Sequence, residues 1–343
     1  MIKQLKLSVA TLLAVTCASV ASAAEVNIYS YRQPQLIEPL LAAFTEATGV
    51  NTNVVFAKKG LVERLKAEGQ NSPADLILTV DISRLDGAKK GGVTQSLSND
   101  AVNNNIPSEF RDTDGHWFGL TTRARVVYAS KERVSQNEIT YEELADPKWK
   151  GKICTRDGQH VYNLGVFASI INHAGEAAAK NWMDGLKNNL ARKPTGNDRA
   201  QVEAIFSGEC DISLGNTYYM GLMQTNDEKP EQKEWASKVK LLFPNATGRG
   251  THVNISGMAL TKHAPNKESA IQLMEYLASD EAQKLYAESN FEYPVKPGVA
   301  ISDRVKSWGD LKPDTLSLNA IAAKRDKASE LVDIVEYNGG PGT

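Results

Sequence analysis

The feature that most constrains the fold is an alternation of strand and helix patterns in the first part of the chain. Three apolar segments rich in β-branched residues have the composition of strands. The third is apolar almost throughout, which is typical of a strand covered on both faces. Apolar residues at helical spacing separate the segments. The strands fall at 26–29, 50–56 and 74–80, and the helices at 36–44 and 61–67. This βαβαβ order predicts a parallel, doubly wound α/β sheet.

The first helix has recognisable end signals, and a second α/β pattern follows later in the chain. Pro34 suits the first turn of a helix and Gly49 suits a left-handed cap at its end. The later pattern has strands near 151–155 and 211–214 with helices between them. The carboxyl ends of such strands are where α/β sheets bind ligands. We therefore expect two α/β lobes with a ligand cleft.

Two longer strand patterns, at 121–130 and 252–261, flank the second unit. A chain that leaves one lobe, builds another and returns places two strands across a hinge. We expect lobe one to comprise residues 24–121 plus 253–300. Lobe two should comprise residues 122–252 plus 301–343, and each lobe should be a mostly parallel sheet flanked by helices.

The first 23 residues have the composition of a signal peptide. Lys3 and Lys6 precede an apolar stretch of about 14 residues, and Ala21-Ser22-Ala23 is a cleavage signal. The stretch is shorter than the roughly 20 residues that a membrane-spanning helix needs. We therefore expect export, with cleavage near Ala23, and we expect the mature protein not to span a membrane.

The balance of charges argues against general binding of nucleic acid. The chain has 39 basic and 41 acidic residues. Two lysines and no acids lie in the first 23 residues, so the mature chain has a formal net charge of −4. A general basic surface for nucleic acid is therefore not expected. The 320 remaining residues suggest two domains of ordinary size.

Two cysteines remain after removal of Cys17 with the signal peptide. Cys154 and Cys210 both lie in short strand patterns. An even pair in an oxidising compartment is compatible with a disulfide if the two strands are neighbours. The sequence leaves open whether they form one disulfide or two buried free thiols.

Common catalytic motifs do not occur in the sequence. There is no G-x-S-x-G elbow, H-E-x-x-H pair, phosphate-binding P-loop or G-x-G-x-x-G turn, and the five histidines lack metal-ligand spacing. We therefore expect a binding protein and not an enzyme.

Three tyrosines follow the two strands of the second unit. Tyr218 and Tyr219 stand where the strand at 211–214 turns into a helix, and Tyr162 stands at the matching place after the strand at 151–155. The pattern alone also fits packing in the core or stacking on a flat ligand, and core packing is the simpler interpretation. Three phenolates, however, would suit Fe³⁺, which prefers anionic oxygen ligands and would displace the phenolic protons.

A six-coordinate ferric ion on three phenolates would need a further oxygen donor, such as carbonate. Arg32 and Gln33 lie before a predicted helix, whose N-terminus attracts anions. Arg123 and Arg125 lie two residues apart and so share one face of a strand. An arginine fork suits bidentate carbonate. We expect Arg123, with Arg32 and Gln33, to hold the anion.

Five segments of the chain carry a family resemblance, at residues 28–32, 72–75, 146–151, 216–221 and 248–254. Through them the chain resembles the periplasmic ferric-ion-binding proteins of bacterial iron ABC importers, over essentially the whole mature chain. The tyrosine pair in its context, Asn216-Thr217-Tyr218-Tyr219-Met220-Gly221, is the most specific of them. The family has a two-lobed, transferrin-like (type II) α/β fold of the periplasmic binding proteins.

The resemblance implies a ligand set. Paired tyrosine ligands of the family fall on Tyr218 and Tyr219, and a third falls on Tyr162. Relatives that use a histidine in the first turn differ from this chain, which has Gln33, and some have a glutamate where this chain has Asp81. The resemblance therefore implies three tyrosines and a carbonate-like anion, in a periplasmic monomer that delivers iron to an inner-membrane permease.

A different cargo would suit the same architecture. The three tyrosines could stack on a polyamine, a sugar phosphate or a thiamine-like solute while Arg32 and Arg123 pair with its carboxylate or phosphate. Visible absorption separates the two hypotheses, because iron–phenolate complexes are coloured.

Overall fold

The computed structural model describes residues 24–342, so the predicted signal peptide lies outside the described residues. Within that range the strands are β1 Glu25–Ser30, β2 Asn51–Phe56, β3 Leu76–Thr79, β4 Phe118–Ser130, β5 Ile153–Cys154, β6 Ile212–Asn216, β7 Val239–Leu242, β8 Val253–Leu260 and β9 Tyr293–Pro294. The α-helices are α1 Glu38–Thr48, α2 Leu61–Glu68, α3 Ile82–Lys90, α4 Asp100–Asn105, α5 Val161–Ala174, α6 Glu176–Asn188, α7 Asp198–Phe206, α8 Thr217–Gln224, α9 Glu231–Ser237, α10 Lys267–Leu277, α11 Asp280–Asn290, α12 Asp303–Lys306, α13 Leu318–Ala323 and α14 Arg325–Ile334.

The predicted βαβαβ unit is present at the start of the described chain. β1 lies between β2 and β3 and is parallel to both. Pro34 begins a short 3₁₀ turn ahead of α1, and Gly49, in the left-handed region with φ 74°, ends that helix. α1 buries Leu40, Leu41 and Phe44 against the sheet. Gly49 therefore ends the helix as predicted, whereas Pro34 begins the 3₁₀ turn before α1 and not α1 itself.

Two long strands connect the lobes, as predicted. β4 is 13 residues long and buried throughout. Its first half pairs antiparallel with β8, and its second half pairs antiparallel with β6 and β7. The strand order is β2-β1-β3-β8-β4-β6-β5, with β7 and β9 both on β4. The sheet is thus parallel among its outer strands and antiparallel where the two long strands cross between lobes.

Helices cover the sheet on both sides. In the first lobe α1, α10 and α11 pack on it around Phe44 and Tyr286. In the second lobe α7 and α8 pack on one face, and α5 packs with α6, α13 and α14 on the other. Near the end of the described chain, Lys324 separates α13 from α14. The exact lobe limits given above remain predictions.

The two cysteines are joined by a disulfide. β5 and β6 are parallel neighbours, with Cys154 opposite Ser213. Cys154 and Cys210 are both buried, with Cα atoms 5.8 Å apart. Of the two alternatives left open by the sequence, the structure has the bridge. No helix of residues 24–342 has the length and apolar character to cross a membrane.

Candidate functional site: a phenol cluster between the lobes

Two helices of the second lobe begin side by side because the strands before them are neighbours. β5 leads to α5 and β6 leads to α8. Tyr162 is the second residue of α5, and Tyr218 is the second residue of α8. Both tyrosines therefore stand at equivalent positions, in the first turns of two neighbouring helices.

The three predicted ligands meet at this point. The hydroxyl oxygens of Tyr162 and Tyr218 are 3.2 Å apart. The rings of Tyr218 and Tyr219 pack with their centroids 4.3 Å apart. We call these three side chains the phenol cluster. Tyr218 is buried and Tyr162 and Tyr219 are half-buried, so their hydroxyls form one compact group of oxygen donors.

Burial raises the pKa of two of the three phenols, those of Tyr218 and Tyr219. Burial raises the pKa of the Tyr218 phenol well above its ordinary value, and the neighbouring Tyr162 and Tyr219 phenols raise it further. Burial and Tyr162 likewise raise the pKa of Tyr219. A cation that binds here therefore has to displace phenolic protons.

Arginine side chains surround the cluster and favour its ionised form. The guanidinium carbons of Arg156 and Arg123 lie 5.2 and 5.8 Å from the centre of the Tyr162 ring. That of Arg199 lies 4.8 Å from the centre of the Tyr219 ring. Positive charge at this range attracts the ring and stabilises a phenolate. The sequence analysis did not single out Arg156 or Arg199, because neither belongs to a recognisable motif.

A buried ion-pair network fixes two of the nearby arginines. Asp198 binds Arg125 at 2.6 Å and Arg156 at 3.0 Å. Burial raises the pKa of the Asp198 carboxyl, but the two guanidinium charges outweigh it and hold the pKa below its ordinary value. Arg125 also donates to Asn163, 2.9 Å away. Asp198 thus neutralises the charge of Arg125. No local sequence pattern predicts this pair, because the two residues lie 73 positions apart in the chain.

Of the two arginines predicted to hold the anion, Arg123 forms no ion pair with a carboxylate of the described residues, whereas Arg32 does. Arg123 is 2% exposed and its Nη1 donates to Ser256 at 3.1 Å. Its Nη2 has no hydrogen-bond partner among the described residues, and the same holds for His252 Nδ1 and Asn216 Nδ2. All three residues line a cavity of about 10 Å³ beside Tyr162, which is room for about one water molecule.

Arg32 and Gln33, the other two residues predicted to bind the anion, already have hydrogen-bond partners within the protein. Arg32 binds Glu292 through two nitrogens at 3.0 and 3.1 Å and also donates to Ser256 at 2.7 Å. A carboxylate inside the protein thus already neutralises its charge. Gln33 is exposed and accepts a hydrogen bond from Gln35. The internal carboxylate weakens the charge argument for Arg32, and the assignment of Arg32 and Gln33 to the anion stays a prediction.

Two polar residues near the cluster act as helix caps. His160 Nδ1 accepts a hydrogen bond from the backbone N–H of Tyr162 at 3.2 Å, so this nitrogen carries no proton. Burial and the Arg156 charge lower the pKa of His160 to about 3. Asp81 caps α3: one carboxylate oxygen accepts from Ser83 N and the other from Asn254 Nδ2. Both Asp81 oxygens are therefore occupied.

Among residues 24–342, no group of three or more histidine, cysteine, aspartate or glutamate side chains is placed to hold a metal ion. The oxygen donors gathered at one point are instead the three phenols. The arrangement suits a small, hard, highly charged cation, because such ions prefer anionic oxygen.

Two α/β lobes joined by crossing strands, with a compact set of donors between them, define a solute-binding protein. Residues 71–312 match the bacterial extracellular solute-binding protein family, and the chain belongs to that family. It is a binding protein and not an enzyme, as the sequence predicts.

Individual relatives of the chain agree with its assignment to this family. Iron uptake protein A1 of Synechocystis sp. is 44% identical over 90% of this chain and 86% of the relative. The apo ferric ion-binding protein A of Pasteurella haemolytica has 50% identity and a TM-score of 0.87, covering 92% of this chain and 99% of that structure. A Trichodesmium protein in complex with iron and citrate ligands has 43% identity and a TM-score of 0.86, covering 91% and 99%. The predicted resemblance to ferric-ion-binding proteins is confirmed.

Proposed function

We propose that this protein is the periplasmic binding component of an ABC importer, which captures Fe³⁺ with Tyr162, Tyr218 and Tyr219. The observation that carries the proposal is the meeting of the three phenols, with the Tyr162 and Tyr218 oxygens 3.2 Å apart. Relatives named for ferric iron binding or iron uptake, over 90% or more of the chain, support the same cargo.

The chemistry of capture follows from the surroundings of the phenols. Three phenolates carry three negative charges and neutralise a ferric ion. Each phenol loses its proton on binding, and nearby guanidinium groups together with the N-termini of α5 and α8 favour the ionised form. Affinity should therefore fall in acid, where protons compete with the metal.

We further propose that a carbonate-like anion completes the coordination and is held by Arg123. The unpartnered Nη2 of this buried arginine supports the assignment. A buried cation without a carboxylate partner is costly, and an anion in the cleft would offset that cost. The Trichodesmium relative, which holds both iron and citrate ligands, supports the use of an anion together with iron.

The partner and location follow from the family. Solute-binding proteins of importers deliver their cargo to a permease, so we propose an inner-membrane ABC permease as the partner. We propose that the mature protein begins near residue 24, acts in the periplasm and is a monomer.

The ligand assignment is tested with Tyr218→Phe and Tyr219→Phe, singly and together. Phenylalanine keeps the ring and removes the oxygen, so the fold should persist while the visible iron–phenolate band is lost from the double variant. The measurement is absorbance after addition of ferric nitrilotriacetate with bicarbonate. Tyr276→Phe is the matched control, since the hydroxyl of Tyr276 lies in α10 without a hydrogen-bond partner among the described residues.

An undiminished band in the double variant would place the ligands elsewhere. A wild-type protein that stays colourless with iron, yet binds an organic solute in calorimetry, would favour the alternative cargo.

The role of Arg123 is tested with Arg123→Gln. Loss of one charged hydrogen bond is worth about 1.5–3 kcal/mol, so iron should bind about tenfold more weakly or worse in bicarbonate. The affinity of the variant should also depend less on bicarbonate concentration. Arg133→Gln, at a partly exposed site that pairs with Asp211, is the control. Equal bicarbonate dependence in Arg123→Gln and wild type would exclude Arg123 as the anion partner.

A further inference from the structure

The two helices that begin at the phenol cluster follow their strands in different ways. β6 leads directly into α8 with no residue between them, so the strand itself sets the position of Tyr218. β5 and α5 are instead separated by residues 155–160. We call these residues the Tyr162 loop, because Tyr162 stands just after it. The position of Tyr162 therefore depends on how this loop is held.

A distant part of the chain holds the Tyr162 loop. It consists of α14 and the turn Tyr337–Gly339, and we call it the α14 segment, residues 325–339. The side chain of Gln159 bonds to α14 through both its polar atoms. Its Nε2 donates to the backbone oxygen of Ser329 at 3.0 Å and to the Asp333 carboxylate at 2.8 Å, and its Oε1 accepts from Ser329 Oγ at 2.7 Å. These partners lie 170 and 174 residues further along the chain.

The turn after α14 adds further hydrogen bonds to the loop. Asn338 Oδ1 accepts from the backbone N–H of Gly158 at 2.8 Å, and Asn338 Nδ2 donates to the Asp157 carboxylate at 2.7 Å. The hydroxyls of Thr155 and Tyr337 are both fully buried and lie 3.0 Å apart. The α14 segment therefore bonds to the Tyr162 loop along most of its length.

Packing between the loop and the α14 segment is also close. A Cβ added to Gly158 would lie 2.6 Å from the ring of Tyr337 and 3.0 Å from a methyl group of Val332. The ring of Tyr337 also packs edge-on against Phe167 of α5, with the ring centroids 5.5 Å apart. The α14 segment thus contacts both the loop before Tyr162 and the helix that contains it.

The loop is in turn tied to the backbone next to Tyr162. The side chain of Asn163 is buried, and its Nδ2 donates to the backbone oxygens of Arg156 and Asp157 at 3.0 and 3.1 Å. Because Asn163 directly follows Tyr162, a displacement of the loop also displaces the backbone of Tyr162.

We propose that Asn338, together with the rest of the α14 segment, is a positioning residue for Tyr162. It holds the Tyr162 loop so that the hydroxyl of Tyr162 lies beside that of Tyr218 before iron arrives. A ligand that is already in place avoids the entropic cost of being ordered on binding. The effect on iron rests on the proposed function, whereas the effect on the position of Tyr162 needs no iron.

Asn338→Ala tests the inference, with ferric nitrilotriacetate and bicarbonate as the source of iron. It removes two hydrogen bonds to the loop, so the dissociation constant for iron should rise about tenfold. In a Tyr162→Phe background the same substitution should change iron affinity by less than about twofold, because the residue that Asn338 positions no longer supplies a ligand.

Asn99→Ala is the matched control. Asn99 also accepts a hydrogen bond from one backbone N–H, that of Val102, and donates to one carboxylate, that of Glu275. Both substitutions should destabilise the protein to a similar degree, but Asn99→Ala should leave iron affinity within about twofold of wild type. Gln159→Ala removes three hydrogen bonds to α14 and takes the place of Asn338→Ala if that variant does not fold.

The position of Tyr162 is read without iron from its NMR signal in protein with isotopically labelled tyrosine rings. The signal is identified by its loss in Tyr162→Phe. Asn338→Ala should shift or broaden this signal, and Asn99→Ala should not.

An unchanged Tyr162 signal or an unchanged iron affinity in Asn338→Ala would overturn the inference. An equal loss of iron affinity with and without the Tyr162 hydroxyl would also overturn it, because Asn338 would then act through overall stability. Wild-type protein that binds no iron would contradict the proposed function, while the Tyr162 signal would still decide whether Asn338 positions this residue.

Discussion

Tyr162 and Tyr218 occupy the same place in two neighbouring strand–helix units. They are 56 residues apart, and so are the disulfide partners Cys154 and Cys210, each eight residues upstream of one tyrosine. The same repeated geometry therefore brings together the two sulfurs at the strands and the two phenols at the helix starts. The meeting of the tyrosines could be predicted from sequence because it depends on two local patterns and one strand pairing.

The polar partners could not be predicted in this way. Arg32 and Glu292 pair across 260 residues, and Arg125 and Asp198 pair across 73. Each member lies in an ordinary local context, and only the folded chain shows which arginines are neutralised. The sequence places Arg123 and Arg125 on one face of a strand, whereas only the structure shows that Nη2 of Arg123 has no hydrogen-bond partner among the described residues.

His252 should make stability depend on pH. Burial lowers the pKa of this histidine to about 3, although Asp314 partly opposes the shift. The unfolded chain, with a histidine pKa of about 6.5, therefore binds a proton that the folded protein excludes. The free energy of unfolding should fall as pH falls from about 6.5 toward 3. Between pH 7.5 and 5 this residue should account for about 2 kcal/mol of the loss.

Urea unfolding of His252→Asn at both pH values measures this contribution. The variant should lose about 2 kcal/mol less than wild type over the interval. His263→Asn, at an exposed site, is the control and should lose as much as wild type. Equal losses in His252→Asn and wild type would show that the buried ring does not stay neutral in the folded protein.

At the scale of elements, α8 is held close to the first lobe by a glycine. A Cβ placed on Gly221 would lie 2.3 Å from the ring of Phe291, which follows α11 in the left-handed region with φ 57°. Gly221→Ala should therefore overpack this contact and lower the free energy of unfolding by about 1–3 kcal/mol. Because α8 carries Tyr218 and Tyr219, iron binding should weaken as well.

The matched control is Gly87→Ala in α3, where an added Cβ would meet no atom within 4 Å. Alanine is the better helix former by up to about 1 kcal/mol, so this variant should be at least as stable as wild type. Urea unfolding measures both variants. A Gly221→Ala protein as stable as wild type would show that Phe291 moves aside at no cost.

Elements with clear end signals were predictable, and elements that depend on tertiary pairing were less so. Pro34 and Gly49 mark the ends of the first helical segment in sequence and in structure. β7 has four residues, two of them half-buried, and too short a pattern to stand out; it exists because the second half of β4 pairs with it. The break between α13 and α14 at Lys324 has no proline or glycine near it from which it could be predicted.

At the scale of the whole molecule, charge is distributed unevenly. The chain is slightly acidic overall, yet arginines surround the phenol cluster. Net charge excluded a general basic surface, but it could not reveal this local concentration, because the arginines come from separate segments of the chain. The two-lobed architecture itself followed from the order of strands and helices and is confirmed.

The central claim is that three phenols hold one ferric ion, and counting ionised phenols per bound iron tests it most directly. Ultraviolet difference absorption reports the formation of phenolate as ferric nitrilotriacetate is added with bicarbonate at neutral pH. The account predicts three phenols ionised for each iron bound, together with a visible band that saturates at one iron per chain. Iron that binds without ionising any phenol would contradict it.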